Sequence, residues 1–449
     1  MEQQNNALSI RDEAEYKVCV EMLLKAAKQR GATAAEVAAS LSSGFSVQVR
    51  LGEVETVEFN RDKGVGLTVY FGQRKGSAST SDLRQASIEE VADAACRIAR
   101  YTSEDEYAGL ADPKLLAYSY PELDLYHPWD LNTEQAIELA KHCEEVGRSS
   151  DPRITNSEGA SVSTHQHLTV YGNSHGFIGS FMTTYHSFYC ALLAQGKAGM
   201  QRDDDYTCSR VPQHLKSPEE IGRKAAEKTL ARLNPQRLKT QKTPIIFINQ
   251  VAQGLISRFL AAISGGQLYR KASFLVDHMG KPVFSSNITI HELPHIPQAL
   301  GSSPFDAEGV FAHDRNLVEK GILNGYLLGS YSARKLGLQS TGNAGGSHNI
   351  KVDHGDHDLN TLIREMGRGL LVTEVMGQGI NLLTGDYSRG ASGFWIENGE
   401  IQYPVEEITI AGNLKDMFRH VVAVGNDVYR QSHIHVGSMW IEEMTVAGE

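Results

Sequence analysis

Residues 50–80 read RLGEVETVEFNRDKGVGLTVYFGQRKGSAST. Charged residues alternate here with Val and Phe, the period of two that puts one face of a strand on a core and the other in water. Gly52, the run Asn60 to Gly64, and Gly72 supply turn residues, so the stretch predicts a half-exposed antiparallel meander. Before it, Arg11 to Gln29 carries Ala, Val, Met and Leu at helical spacing and stops at Gly31. After it, Ser87 to Tyr101 reads as a second helix, closing one α+β unit.

The same succession returns further along. Ala111 to Asp130, rich in Pro, Tyr and Asp without a sustained period, is a connector. Asn132 to Gly147 reads as helix, Ser161 to Ala194 as strands broken by a turn at Gly172 to Gly176, and Pro218 to Leu233 as helix. Asn234 to Thr243, with Pro235 and alternating Lys, is the best boundary. Beyond it Ile248, Val251, Ala252, Leu255, Ile256, Phe259, Leu260 and Ile263 follow the i, i+3, i+4, i+7 rule up to Gly265 and Gly266. Short strands then dominate, with Glu397-Asn398-Gly399-Glu400 placed as a hairpin turn. The fold class expected is α+β: units over 1–115 and 116–236, each helices plus antiparallel strands, then a mainly antiparallel β domain over 237–449 with a long amphipathic helix.

Composition narrows the function. With 449 residues and 41% hydrophobic content the chain can bury a large core. Forty-three basic against 54 acidic residues give a formal charge of -11, a field that repels phosphate backbones, so nucleic acid is not an expected partner. The N-terminal residues lack the basic start and apolar run of a secretory signal, and no apolar stretch approaches the roughly 18 to 20 residues that span a bilayer; no membrane association and a cytoplasmic location are expected. Five scattered cysteines without a CxxC pair suggest reduced, buried thiols.

Several strings look chemical. His291-Glu292-Leu293-Pro294-His295 matches the HExxH string of zinc peptidases, which requires both histidines on one face of a helix. Pro294 inside it, Pro297 after it and the strand-like Asn287 to Ile290 before it oppose that geometry. Gly172-Asn173-Ser174-His175-Gly176 matches GxSxG, but extended sequence on both sides favours a hairpin turn over a nucleophile elbow. The pairs His165/His167, His354/His357 and His433/His435 have no third ligand at a convincing spacing, and Asp353 to Asp358 reads as a solvated loop. The segment Gly385 to Trp395, GDYSRGASGFW, combines three glycines with Asp386, Tyr387, Ser388 and Arg389. It suits close approach of another chain, with directional hydrogen bonds from Arg389 and Asp386; a glycine-rich turn between strands fits slightly better. A similar mixture surrounds Asn343 in Ser340 to Gly346.

Taken together, GEVETVEFNRDKGVGLTVY, VYGNSHG, GGQLYRKASFL, KGILNGYLLGSYSARKLGLQSTGNAGG and GDYSRGASGFWIENGEIQYPVEEITIAGNLKDM make the chain resemble, over almost its whole length, the TldD/PmbA family of peptidase subunits, also called modulators of DNA gyrase. The last block and Arg334-Lys335-Leu336-Gly337 look most like its PmbA (TldE) branch. The resemblance implies a cytosolic heterodimer in which a TldD-like subunit carries zinc and cleaves unfolded or small polypeptides, while the PmbA-like subunit completes the chamber. The metal motif of TldD, a His-Glu pair followed by a second His, falls on the amphipathic helix; here that region reads Ile248-Asn249-Gln250-Val251-Ala252-Gln253-Gly254. TldD's third ligand is a cysteine near the C-terminus, and no cysteine follows Cys208. The resemblance therefore implies no catalytic residue, metal or cofactor in this chain, with zinc in the TldD-like partner, and an isolated chain that is inactive; for the isolated chain a homodimer stays open beside the heterodimer. Asp386, Tyr387, Ser388, Arg389 and Asn343 are the expected surface for the partner or an extended peptide substrate. Two other readings remain: a self-sufficient zinc peptidase using His291, Glu292 and His295, and a nonenzymatic adaptor acting on gyrase or its toxins.

Overall fold

The computed structural model describes residues 8–448, so residues 1–7 and 449 of the expected first and third units lie outside the described residues. The first half contains α1 (Ile10–Gln29), β1 (Ala34–Arg50), β2 (Glu53–Phe71), β3 (Arg74–Thr80), α2 (Gln85–Tyr101), α3 (Thr133–Ser149), β4 (Ile154–Asn173), β5 (Ile178–Gly196), β6 (Gly199–Ser209) and α4 (Pro218–Ala231). Capping boxes at Ser9/Asp12 and Asn132/Gln135 start α1 and α3 by satisfying otherwise orphaned backbone donors.

The two helix–strand–helix units share one sheet, of order β3-β2-β1-β4-β5-β6, in which β1 and β4 pair antiparallel across the middle. The order reads as two three-stranded meanders placed back to back. On β1, Val37, Ala39, Leu41, Val47 and Val49 are buried and pack with the helices, at roughly 1.5–3 kcal/mol for each large side chain. The opposite face is polar: the Ser42 hydroxyl meets His167 Nδ1 at 2.7 Å and Ser163 meets Ser187 at 2.7 Å. A Cβ at Gly44 would stand 2.5 Å from His165 Nδ1, so this position must be glycine for the imidazole to lie across the strand.

Residues 60–64, expected to turn, do not. They continue β2 in unbroken register against Gly44 to Ser40. A long partner strand supplies hydrogen bonds at every position, and that overrides the local turn preference of Asn and Gly. Residues 53–63 are exposed throughout, because β3 covers β2 only from Val65 onward. The hairpin tip at Leu51 and Gly52, both with positive φ, is tied down by the buried Glu144 carboxylate of α3, which accepts the two amides at 2.8 Å each.

The C-terminal half contains β7 (Gln241–Phe247), α5 (Asn249–Ala262), α6 (Gly265–Tyr269), β8 (Ile290–Leu293), β9 (Arg315–Glu319), β10 (Ile322–Leu323), α7 (Ser330–Lys335), β11 (Asn349–Val352), α8 (Leu359–Met366), β12 (Gly369–Met376), β13 (Asp386–Glu397), β14 (Glu400–Asn413), α9 (Leu414–Arg419), β15 (Val421–Val424), β16 (Ile434–His435) and β17 (Met439–Ala447). One sheet runs β14-β13-β12-β7-β17-β15, and a further β14–β17 pairing closes five of its strands into a ring. A second sheet runs β10-β9-β8-β11-β16. The largest apolar core joins the two through α5, whose Leu255, Ile256 and Phe259 are fully buried. Asn398 and Gly399 take positive φ in the β13–β14 turn, as expected for a two-residue hairpin.

The halves meet along β6 and α4. The Tyr206 and Tyr429 hydroxyls are hydrogen-bonded, Cys208 N donates to Gln431 Oε1 at 2.7 Å, and Gln201 Nε2 donates to Glu406 at 2.7 Å. Arg232, capping α4, pairs with Glu374 of β12 at 2.6 Å. Arg334 of α7 donates to the connector carbonyls of Tyr107 (2.9 Å), Gly109 (3.1 Å) and Leu110, while the Lys335 ammonium lies 4.1 Å from the Tyr107 ring centre.

Candidate functional site

The HExxH string lies on β8 and the turn after it. Successive strand residues point to opposite faces, so His291 and Glu292 diverge, and no helix brings His291 and His295 together. His291 sits between Asn316 Oδ1 (2.7 Å) and Asp353 Oδ1 (3.0 Å). Glu292 is 1% exposed and its two oxygens are already taken. Oε1 accepts from Asn343 Nδ2 at 2.7 Å and from the His348 amide and Nδ1 at 3.0 and 3.1 Å; Oε2 accepts from Arg315 Nε and Nη2 at 2.8 and 2.7 Å. Burial alone would raise the Glu292 pKa, yet the His348 hydrogen bond and the Arg315 charge hold it down at about 2. This is a charge-satisfied strut pinning the 340–348 loop to β8 and β9, with no free lone pair aimed at a water.

His295 lines an open hollow of about 500 Å³ together with Phe311, His313 and Asp314, its ring 4.6 Å from that of Phe311. Burial and the neighbouring His348 lower its pKa, and the same two causes act on His433.

The amphipathic helix α5 lies where expected, between the strand ring and β16. Its first turn is engaged in structure. Asn249 Nδ2 donates to the Asp427 carbonyl at 2.6 Å, Asn249 Oδ1 accepts the Gln250 amide at 2.7 Å, and Asn249 N donates to Ser438 Oγ at 3.1 Å. Ser438 Oγ in turn donates to the Asp427 carboxylate at 2.6 Å. Amides and a hydroxyl thus occupy this face, and a catalytic zinc needs three His, Cys or carboxylate ligands. Among the described residues no group of three or more His, Cys, Asp and Glu is disposed to hold a metal ion. The donor set does not fit zinc. The five cysteines are all buried in the N-terminal half.

The segment 385–395 is corrected from a turn to strand β13, central between β12 and β14. Its glycines serve packing: a Cβ at Gly393 would stand 1.9 Å from the Leu371 carbonyl oxygen. Tyr387 is 3% exposed and points into the core, and Asn343 is 6% exposed within the Glu292 network, so neither side chain can form the surface expected of it. Asp386, Ser388 and Arg389 lie at the surface. Asp386 is held by Thr384 (2.6 Å) and Asn413 (3.1 Å), and Arg389 donates to the Met376 and Val375 carbonyls at 2.9 and 3.3 Å, closing the 376–385 loop. Asn343 belongs to a separate cluster. Arg315 and His348, which complete that cluster, escaped the sequence reading because they lie 23 and 56 residues from Glu292.

The GxSxG string is the β4–β5 hairpin turn, as expected from its flanks. His357, in an exposed loop, pairs with Glu365 of α8 at 3.1 Å. No helix among the described residues is long and apolar enough to cross a membrane.

Six strands backed by four helices, followed by a closed strand ring around α5, define a class of three-part metallopeptidase chains: models of PmbA/TldA metallopeptidase domain 1, central domain and C-terminal domain match residues 35–99, 126–233 and 240–448. The chain belongs to the PmbA/TldD family. It is 49% identical over 445 residues to the Metalloprotease PmbA homolog of Haemophilus influenzae, covering 99% of this chain and 98% of that one. It is 51% identical to Metalloprotease PmbA of Escherichia coli, covering 92% of each. Among solved structures, one from Bacteroides thetaiotaomicron labelled a DNA gyrase modulator superposes with a TM-score of 0.92 at 29% identity, over 99% of this chain and all of that one. TldE of Thermococcus kodakarensis shares the fold with a TM-score of 0.84 at 22% identity, over 96% of this chain and all of that one.

Proposed function

We propose that this chain is the metal-free subunit of a two-chain zinc peptidase, supplying part of the chamber in which a TldD-like partner cleaves extended, unfolded or small polypeptides. One observation carries the reading: the face of α5 that bears the metal motif in the TldD branch here presents Asn249, Gln250 and Gln253, and Asn249 is tied to Asp427 and Ser438. The relatives' designation as metalloproteases is compatible with a non-catalytic member, since the activity then belongs to the assembly. The self-sufficient reading through His291, Glu292 and His295 is opposed by their placement on a strand and the turn after it and by the saturation of Glu292. Cytoplasmic location and broad peptide tolerance belong to the same proposal.

The test is metal analysis of the purified chain together with peptide cleavage assays on it, alone and with a TldD-like subunit. The expected result is zinc far below one per chain and cleavage only in the mixture. Tightly bound zinc at one per chain, or cleavage by the isolated chain that Glu292→Gln abolishes, would overturn the proposal.

A further inference from the structure

Of the HExxH string, His291 and Glu292 are spent on Asn316, Asp353, Arg315 and Asn343, whereas His295 Nε2 is buried and has no hydrogen-bond partner among the described residues. Folded proteins rarely leave such an atom without a water or a ligand to satisfy it. The side chain stands in the wall of the hollow of about 500 Å³ that lies after β8 and before β9.

Three rings frame this hollow. The Phe311 ring lies 4.6 Å from that of His295 at an interplanar angle of 39°, and 4.9 Å from that of His313 at 67°. Leu293 and Ile296 add apolar wall. At the rim stands Asp314, exposed and, among the described residues, without a hydrogen bond or salt bridge. The adjacent cation does not pair with it, because Arg315 is held by Glu292 and Asn343. Burial lowers the His295 pKa, so this imidazole is neutral at pH 7 and brings no positive charge of its own.

A free carboxylate beside aromatic faces favours a cation and repels an anion. Aromatic faces attract a cation placed within about 6 Å of the ring centre. The formal charge of -11 adds a long-range attraction of the same sign. Apolar walls below a charged rim suit a long side chain with a charged tip. Of the two candidates, a guanidinium is planar and weakly hydrated, so it can lie flat on a ring while its N–H fork reaches a carboxylate; an ammonium is a compact, strongly hydrated charge without that geometry. We propose that the hollow takes the arginine side chain of a bound polypeptide, its guanidinium lying against Phe311 and donating to Asp314. The inference rests on the reading of the chain as a subunit that holds peptide substrate, and it names a side chain that the subunit selects.

The test uses the isolated full chain and a fluorescent, unstructured peptide with one central arginine, compared by anisotropy with the same peptide carrying citrulline or lysine there. The arginine peptide is expected to bind about fivefold tighter than the citrulline one, from one cation–π contact and one exposed ion pair. Asp314→Asn should abolish that preference; Asp314 is exposed and unbonded, so an unchanged denaturation midpoint is expected of the variant. Phe311→Leu should weaken arginine binding and leave citrulline binding unchanged. With a TldD-like subunit, Asp314→Asn should raise KM for the arginine peptide without changing kcat. Absence of peptide binding, equal affinity for arginine and citrulline or for arginine and lysine, a preference that survives Asp314→Asn, or weakened association with the TldD-like subunit at unchanged peptide preference would each overturn the proposal. Because the binding measurements need neither zinc nor cleavage, they stand or fall separately from the assignment of a metal-free subunit.

Discussion

Replacing Glu292 by Gln separates a structural carboxylate from a catalytic one. The side chain keeps its shape but loses its charge, and one oxygen becomes an NH2 group facing donors: Arg315 on one side, or Asn343 and His348 on the other. Breaking a buried ion pair from one side costs about 3–5 kcal/mol, because the abandoned charge stays desolvated. Arg315 is 21% exposed, which lets water reach it and places the expected loss near the lower limit. The pKa gives a second estimate of similar size: a fall from the ordinary 4.5 to about 2 corresponds to roughly 3 kcal/mol of stability. Since the folded-state pKa is depressed, this stability is fully present above pH 4.5 and is lost as pH falls from there toward 2. Urea denaturation at neutral pH and at successively lower pH should therefore show Glu292→Gln less stable by about 3 kcal/mol at pH 7 and with a flatter acid slope than the parent. In the mixture with a TldD-like subunit, variant that remains folded should support cleavage. A variant as stable as the parent at pH 7 but inactive in that mixture would refute the structural assignment and return Glu292 to the chemistry.

Other expectations test separate parts of the structure. Arg334→Ala should expose the connector around Tyr107 to Leu110 to limited proteolysis and lower stability by about 2 kcal/mol, and Arg334→Lys should not restore it, since one ammonium cannot reach all three carbonyls. Gly393→Ala should fail to fold or lose several kcal/mol because its Cβ meets the Leu371 carbonyl, whereas Gly254→Ala, in α5 with open space around it, should raise the denaturation midpoint by the equivalent of about 0.5–1 kcal/mol. Glu144→Ala should cost roughly 2 kcal/mol by stranding the Leu51 and Gly52 amides, and hydrogen exchange should report the loosening at the hairpin tip.

Local pattern made much of this legible. Alternation of apolar and polar residues is imposed residue by residue, so β2, β4 and β5 show it in the sequence; the helices show their own spacing, and the Asn398-Gly399 turn its residue types. The proline in HExxH likewise announced that no helix would form there. What failed was composition read without partners. Asn60 to Gly64 and Gly385 to Trp395 look like turns, and both are strands because a neighbour on one side or both satisfies their backbones and, at Gly393, leaves no room for a Cβ. Tyr387 and Asn343 were expected at the surface because polar tips beside glycines resemble recognition loops; their burial depends on contacts with distant segments, as does the Arg315 and His348 environment of Glu292. Asn249 was legible only as a missing ligand, while its bonds to Asp427 and Ser438 lie 178 and 189 residues away.

The back-to-back strand order β3-β2-β1-β4-β5-β6 leaves the sheet with two ends of different character. At β6 the C-terminal half is already seated, through Tyr429, Gln431 and Glu406. At β2 no strand among the described residues pairs with the outer edge before Val65. The sheet is thus built like a cantilever, clamped at β6 and unclamped at β2, so backbone fluctuation should rise from β6 toward the outer edge of β2.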